Sequence, residues 1–142
     1  MNLKKLMSTN DGWGLLGLRL VTGVIFMAHG LPKLGLGNGG GLEGTAAWLA
    51  GMGVPFPMLN TVLVALSETV GGAMLILGFM TRLAAATQVI AMLVAIFLVH
   101  WSNGFTANGG YQWALLMAAA AFALMLDGAG RYSVDRMLSQ KS

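Results

Sequence analysis

The sequence predicts an all-α integral membrane protein, a four-helix transmembrane bundle with a short interfacial or re-entrant helix between helices 1 and 2. Three observations predict it. Of the 142 residues, 56% are hydrophobic and only 9% charged, where an ordinary soluble domain carries about 25% charged residues. The apolar residues gather into four stretches near the length of about 20 that a helix needs to cross a hydrocarbon core roughly 30 Å thick. Four such crossings use most of residues 1–142, so the chain reads as one transmembrane domain with no room for a separate soluble catalytic unit.

Helix 1 is expected from Trp13 to Leu34, after Lys4 and Lys5. Arg19 interrupts its apolar run and no small-residue cleavage site follows, so it reads as a retained helix and not a signal peptide. Residues 35–41, GLGNGGG, make a flexible link. The following EGTAAWLAGMGVP sets Thr45, Trp48, Leu49 and Met52 at helical spacing, and Gly53 and Pro55 stop that helix. It is too short to span, and Trp48 favours the headgroup region, which leaves two readings: a lid, or a loop helix covering the bundle end.

Helix 2 is expected from Met58 to Phe79 and helix 3 from Arg82 to Trp101. The tight turn from Gly78 to Arg82 makes them antiparallel neighbours. The next connection, SNGFTANGG, is uncharged and rich in turn signals. It ends at Tyr111 and Trp113, aromatic anchors that open helix 4, Tyr111 to Asp127. The alanine runs here, with Ala114 and Ala118 one turn apart, predict a close-packed face within the bundle or at a homo-oligomer seam. No internal repeat suggests a transporter built from two similar halves.

Charge sets the orientation. Lys4, Lys5, Arg82, Arg131, Arg136 and Lys141 fall on one side of a four-crossing arrangement and Lys33 on the other, so both termini are expected in the cytoplasm of a bacterial inner membrane. The net charge of +3 forms no basic stripe, which excludes nucleic acid as a partner. The chain has no cysteine, which removes disulfides, thiolate metal sites and a dithiol relay. Eleven methionines without a clustered Met-x-x-Met pattern read as core filler. No nucleophile–base pair, phosphate loop or zinc motif supports hydrolytic or phosphoryl-transfer chemistry.

Against this apolar background stand Arg19, His29, Lys33, Glu68 and His100. A charge at the bilayer centre costs about 2.5 to 3.5 kcal/mol on insertion scales, which makes such residues functional candidates. At 100° per residue, Lys33 lies about 40° and His29 about 80° around the helix from Arg19, so the three share one flank. Gly71 and Gly72 flank Glu68 and admit a close neighbour, and Thr61 lies two turns away on nearly the same line.

The natural pairing is Arg19 with Glu68, each relieving the other's desolvation. Two readings of that pair stand side by side, a structural ion pair that fixes helix register and the floor of a cavity open to the outer side. His29 and His100 fit hydrogen bonds to a quinone carbonyl, proton carriage, metal or haem ligation, or simple satisfaction by backbone. Only Glu43 adds a carboxylate on their side, so no metal site is assigned. Lys33 reads as a contact to a polar head group or as a side chain snorkelling to the headgroups.

The blocks GLRLVTGVIFMAHGLPKL, SETVGGAMLILGFMTRLAA, ANGGYQWALL and GAGRYSVD, taken in order, resemble the DoxX family of small bacterial membrane proteins from about Leu16 to Asp135. The resemblance implies a four-helix inner-membrane protein grouped with oxidoreductases, through quinone-linked thiosulfate oxidation and membrane oxidoreductase complexes. It places Arg19, His29, Lys33 and Glu68 on the family's recurring polar positions. Gln112 stands where many relatives carry an acid, which argues against a proton relay there.

The function expected is therefore a redox-associated membrane protein. Its outer-facing cavity, bounded by Arg19, His29, Lys33, Glu68 and His100, would bind a quinone or similar small organic molecule beside a partner oxidoreductase subunit. No covalent cofactor is expected and no catalytic residue is assigned. The alternative is a non-catalytic scaffold or small-solute carrier whose ion pair is structural.

Overall fold

The computed structural model describes residues 13–140. Lys4, Lys5 and Lys141, which carry part of the orientation argument, lie outside them. Six helices are described: α1 Trp13–Lys33, α2 Gly41–Gly51, α3 Pro57–Leu77 and α4 Thr81–Asn103, α5 Gln112–Asp127 and α6 Val134–Gln140. There is no strand among the described residues. Helices α1, α3 and α4, of 21, 21 and 23 residues, are long and apolar enough to cross a membrane. Helix α5 is equally apolar but has 16 residues, short of the roughly 20 that a full crossing takes.

Small residues decide how these helices pack. Lipid tails are as apolar as leucine, so helices in a bilayer associate through close backbone approach and not through hydrophobic expulsion. Helix α1 presents a buried stripe of Arg19, Thr22, Gly23, Phe26 and Gly30 to the interior. At Gly23 an added Cβ would stand 2.7 Å from the Gly72 carbonyl oxygen of α3, and at Gly30 it would stand 2.7 Å from the Thr69 backbone nitrogen. Helices α4 and α5 close on each other in the same way through Ala84, Ala85 and Ala91 against Ala114, Met117, Ala118 and Ala121, all buried. The expected alanine face of the last helix thus lies inside the bundle. Large apolar side chains such as Val21, Val24, Leu63, Ile90 and Leu116 point outward and are exposed, as a lipid-facing surface requires.

Two spans are not regular. Residues Ser67–Gly71 of α3 form a π turn, and Ala95–His100 of α4 form a second one that closes in a 3₁₀ turn over Trp101–Asn103. Wide turns of this kind disturb the i→i−4 ladder and recur at functional sites. Gln88, fully buried on α4, donates from Nε2 to the Ser67 carbonyl oxygen at 2.5 Å, which satisfies backbone at the first of them.

The end of the bundle near Gly78 is tied shut by charged side chains acting on backbone. Asp135 accepts from the backbone nitrogens of Met80 at 2.7 Å and Thr81 at 2.9 Å, capping the start of α4 from a distant part of the chain. Its own backbone nitrogen donates to the Gly78 carbonyl at 2.9 Å. Arg82 donates to the carbonyls of Met125, at 3.0 Å, and Leu126, covering the last turn of α5. Backbone groups at three helix ends thereby find partners within the protein.

Candidate functional site

The antiparallel register of α1 and α3 decides which charges meet. Gly23 lies against Gly72 and Ile76, and Gly30 against Thr69 and Glu68. Extending that register sets Arg19 level with Gly78, about ten residues or 15 Å along the helix from Glu68. The expected Arg19–Glu68 ion pair is therefore not formed. Glu68 pairs instead with Lys33, Nζ to Oε2 at 2.6 Å, with Glu68 5% and Lys33 22% exposed. The Lys33 ammonium also donates to the His29 carbonyl at 2.8 Å. The expectation failed because it set the outer ends of helices 1 and 2 flush, whereas α3 overshoots the level of Lys33 by about eight residues or 12 Å.

Arg19 belongs to the opposite end. It is 1% exposed and donates from Nη2 to the carbonyls of Tyr132 at 3.1 Å and Arg131 at 3.5 Å. Its other guanidinium nitrogen, Nη1, fills the place beside Gly78 where a side chain would start. Arg19 is thus a strut under the Gly78 turn and takes no part in the cavity described next.

At the Lys33 end lies a cavity of about 540 Å³, bounded by α1, α3, α4 and α5. His29, Lys33, Glu68 and His100 all line it, with Asn60, Thr61, Asn108 and Gln112 and with apolar side chains such as Phe26, Met92 and Met117. The π turn of α3 carries Glu68, and the π turn of α4 ends on His100. Both irregular turns therefore border the same space.

The histidines have defined roles in their hydrogen bonds. His29 Nδ1 stands 2.9 Å from the Ile25 carbonyl and His100 Nδ1 2.7 Å from the Gly109 carbonyl. A carbonyl oxygen only accepts, so each Nδ1 carries the proton, and a neutral ring offers Nε2 as an acceptor. Thr61 and Asn60 spend their donors on Pro57 and Pro55 carbonyls at 2.8 and 2.7 Å.

Two segments outside the long helices also line the cavity. Helix α2 contributes Thr45, Trp48 and Leu49 and stops at Gly51, just before Gly53, whose φ of 76° and hydrogen bond from its nitrogen to the Ala50 carbonyl at 3.0 Å turn the chain away. The loop after α4 contributes Thr106 to Gly110 and is folded back on itself, with Gly110 N donating to Ala107 O at 2.7 Å and Tyr111 N to Gly104 O at 3.1 Å. Tyr111 stacks on Trp101 at 5.2 Å, which pins this loop to the end of α4.

Of the five residues singled out in the sequence, four surround one cavity and Arg19 does not. Asn60 and Gln88 were missed, being neutral side chains inside apolar helices with no charge to flag them. Asp135 was missed as the partner of the 78–81 turn, because the sequence separates the two by more than fifty residues.

Comparison with known proteins places this architecture. The DoxX family model matches residues 14–101, which takes in nearly all of α1, the whole of α2 and α3, most of α4, and all five singled-out polar residues, Arg19, His29, Lys33, Glu68 and His100. Among curated proteins, the chain is 33% identical to the inner membrane protein YqjF of Escherichia coli over 129 residues, 90% of this chain and 94% of that one. It is 30% identical to the inner membrane protein YphA of the same organism over 128 residues, 86% and 88% of the two chains. It is also 32% identical over 111 residues, 78% of each chain, to a Bacillus subtilis protein named "Putative oxidoreductase CatD". No solved structure matches the chain. Its apolar spans, its match over most of the helical core and its relatives along nearly their whole length identify the chain as a membrane protein of the DoxX family.

Proposed function

We propose that this protein binds a quinone or its hydroquinone in the cavity between α1, α3, α4 and α5, and that it serves a partner oxidoreductase in the bacterial inner membrane. One observation carries the reading: His29, Lys33, Glu68 and His100, from three helices, line a single cavity whose remaining walls are mostly apolar. Sites for small organic molecules have this character, an apolar slot with a few convergent polar groups. The name borne by the Bacillus subtilis relative points the same way.

The chemistry follows from the proton positions. With Nδ1 held by backbone, each neutral imidazole offers Nε2 to a hydroquinone hydroxyl, and each protonated imidazole offers a donor to a quinone carbonyl. Oxidation of a hydroquinone releases two protons and two electrons. The imidazoles accept the protons, and the electrons leave through the partner subunit, since the chain offers no cysteine for a thiol relay. Lys33 holds Glu68 beside the same space as a charged, oriented group.

In this reading α5 is the fourth crossing, with its ends extended by the 104–110 loop and the 128–135 return. Both termini lie in the cytoplasm and the cavity opens outward, consistent with Arg82, Arg131 and Arg136 at the Gly78 end. A periplasm-active reporter fused to either terminus would contradict that orientation.

The binding test is a thermal melt of the detergent-purified protein across a titration of ubiquinone and menaquinone analogues. A ligand at a hundredfold excess over its dissociation constant stabilises by about 2.7 kcal/mol. The shift is expected in the wild type and lost in a His29→Ala/His100→Ala double variant. No shift with any analogue, or one that survives in the double variant, favours a non-catalytic scaffold or carrier instead.

A further inference from the structure

A second cavity lies beside the first, of about 550 Å³, between α3 and α4. The two share Asn60, Val64, Ala91 and Val94 as lining residues, so they adjoin along one wall. The second differs in chemistry. Leu63, Leu66, Val70, Leu83 and Ile90 line it and are exposed on the lipid-facing side of the bundle. Its hydroxyls are already engaged: Ser67 Oγ reaches Gln88 Oε1 at 3.4 Å and Thr87 Oγ1 donates to the Ala84 carbonyl at 2.8 Å. Asn60 is spent on the Pro55 carbonyl at 2.7 Å. With these donors engaged, a carbonyl or anionic occupant would find no side-chain donor from them, and burying its polar groups unpaired is unfavourable.

The shape of the groove has a local cause. Helices α3 and α4 are held together at the tight Gly78–Thr81 turn, where Asp135 clasps the backbone. Beyond it their facing positions are small, with Gly71, Ala84, Thr87 and Ala91 all lining the groove. The groove runs from the lipid face to the wall of the polar cavity.

We infer that this groove receives the hydrocarbon tail of the same molecule whose head group occupies the polar cavity, so that the ligand is a long-chain amphiphile entering sideways from the bilayer. This rests on the head-group reading above, which it extends by naming the ligand class. The adjacency of the two cavities, which share Asn60, Val64, Ala91 and Val94, is what selects a tailed ligand over an unconnected lipid chain. A head group placed between His29 and His100 has its tail directed past Val64 and Ala91 into an apolar channel.

The test uses the full chain in nanodiscs of fixed lipid composition, with quenching of tryptophan fluorescence as the readout, since Trp48 and Trp113 line the head cavity. Two hydroquinones with one head group are titrated, one without a tail and one with a ten-carbon tail. Thr87→Phe and Ile90→Phe fill the groove at residues that do not line the head cavity and add no tryptophan to the readout. Each variant is expected to weaken the tailed compound by roughly tenfold or more, which the loss of two buried methylenes already provides, and to leave the tailless compound unchanged. Partition into the lipid is the same for wild type and variants, so it cancels. Equal affinity of the tailed compound in wild type and both variants overturns the inference, as expected if a bilayer chain or nothing occupies the groove, while leaving head-group binding intact. Failure of both compounds to bind the wild type overturns the head-group reading and the inference together.

Discussion

Gly30→Ala tests the helix contact on which the site is built. In a helix interior alanine is favoured over glycine by about 1 kcal/mol, so the substitution would stabilise if it met open space. It does not. The new Cβ would stand 2.4 Å from Thr69 Oγ1, 2.7 Å from Thr69 N and 2.9 Å from Glu68 Cβ, where ordinary contact begins at 3.4 Å. The hydroxyl can rotate aside, but the backbone nitrogen and the Glu68 Cβ belong to the π turn and cannot. To restore contact, α1 must retreat from α3 by about 0.5 Å or more, and overpacking of this kind costs about 1 to 3 kcal/mol. Set against the propensity gain, the net expectation is a loss of up to about 2 kcal/mol, against a gain of about 1 kcal/mol where the new methyl meets open space. Gly17→Ala is the matched control, because nothing lies within 4 Å of its Cβ; it should melt at or above the wild type. Thermal melting of both variants in the same detergent checks the difference. Should Gly30→Ala melt as high as Gly17→Ala, α1 and α3 do not meet at Glu68 and the register derived above is wrong.

Three further outcomes follow from the same geometry. Lys33→Glu and Glu68→Lys should each destabilise, toward the lower end of the 3 to 5 kcal/mol that breaking a buried pair costs since Lys33 is 22% exposed, and the double swap should recover most of the loss; a double variant as unstable as the sum of the singles rules out the pair. Arg19→Ala and Glu68→Ala should add within about 0.5 kcal/mol in a double-mutant cycle, because the two lie at opposite ends of the bundle; a larger coupling would restore the pairing that the structure replaces. Asp135→Ala removes both caps on the start of α4 and should cost about 2 kcal/mol, with Asp135→Asn costing less because one acceptor remains; equal melting of the two variants would show that the caps do not stabilise the turn.

Helix class, helix order and the short helix between α1 and α3 were legible in the sequence because each follows from local signals: apolar length, glycine links and the spacing of Thr45, Trp48, Leu49 and Met52. The gathering of His29, Lys33, Glu68 and His100 at one cavity was also legible, since charge is rare in these helices and their depths could be counted along each one. The partner of Glu68 was not, because it depends on the offset between α1 and α3. That offset is set by where Gly23 and Gly30 find Gly72 and Thr69, and a sequence of one chain shows the glycines without showing which of them meet. The π turns were hidden for a related reason: nothing in SETVG or AIFLVH breaks an α-helical pattern, and the wide turn at Ser67 is supported by Gln88 from another helix. Arg19 was read as a cavity residue because its apolar surroundings make any charge look functional. Its partners are backbone carbonyls near the far end of the chain, which no residue type advertises.

The most direct test of the cavity as a quinone site is to extract the purified protein with organic solvent and measure the quinone recovered per chain. The wild type should yield quinone near one per chain, well above the amount carried by the same lipid and detergent without protein, and the His29→Ala/His100→Ala double variant should fall to that background. Background quinone in the wild type, or equal recovery from the double variant at matched yield and folding, would contradict the account.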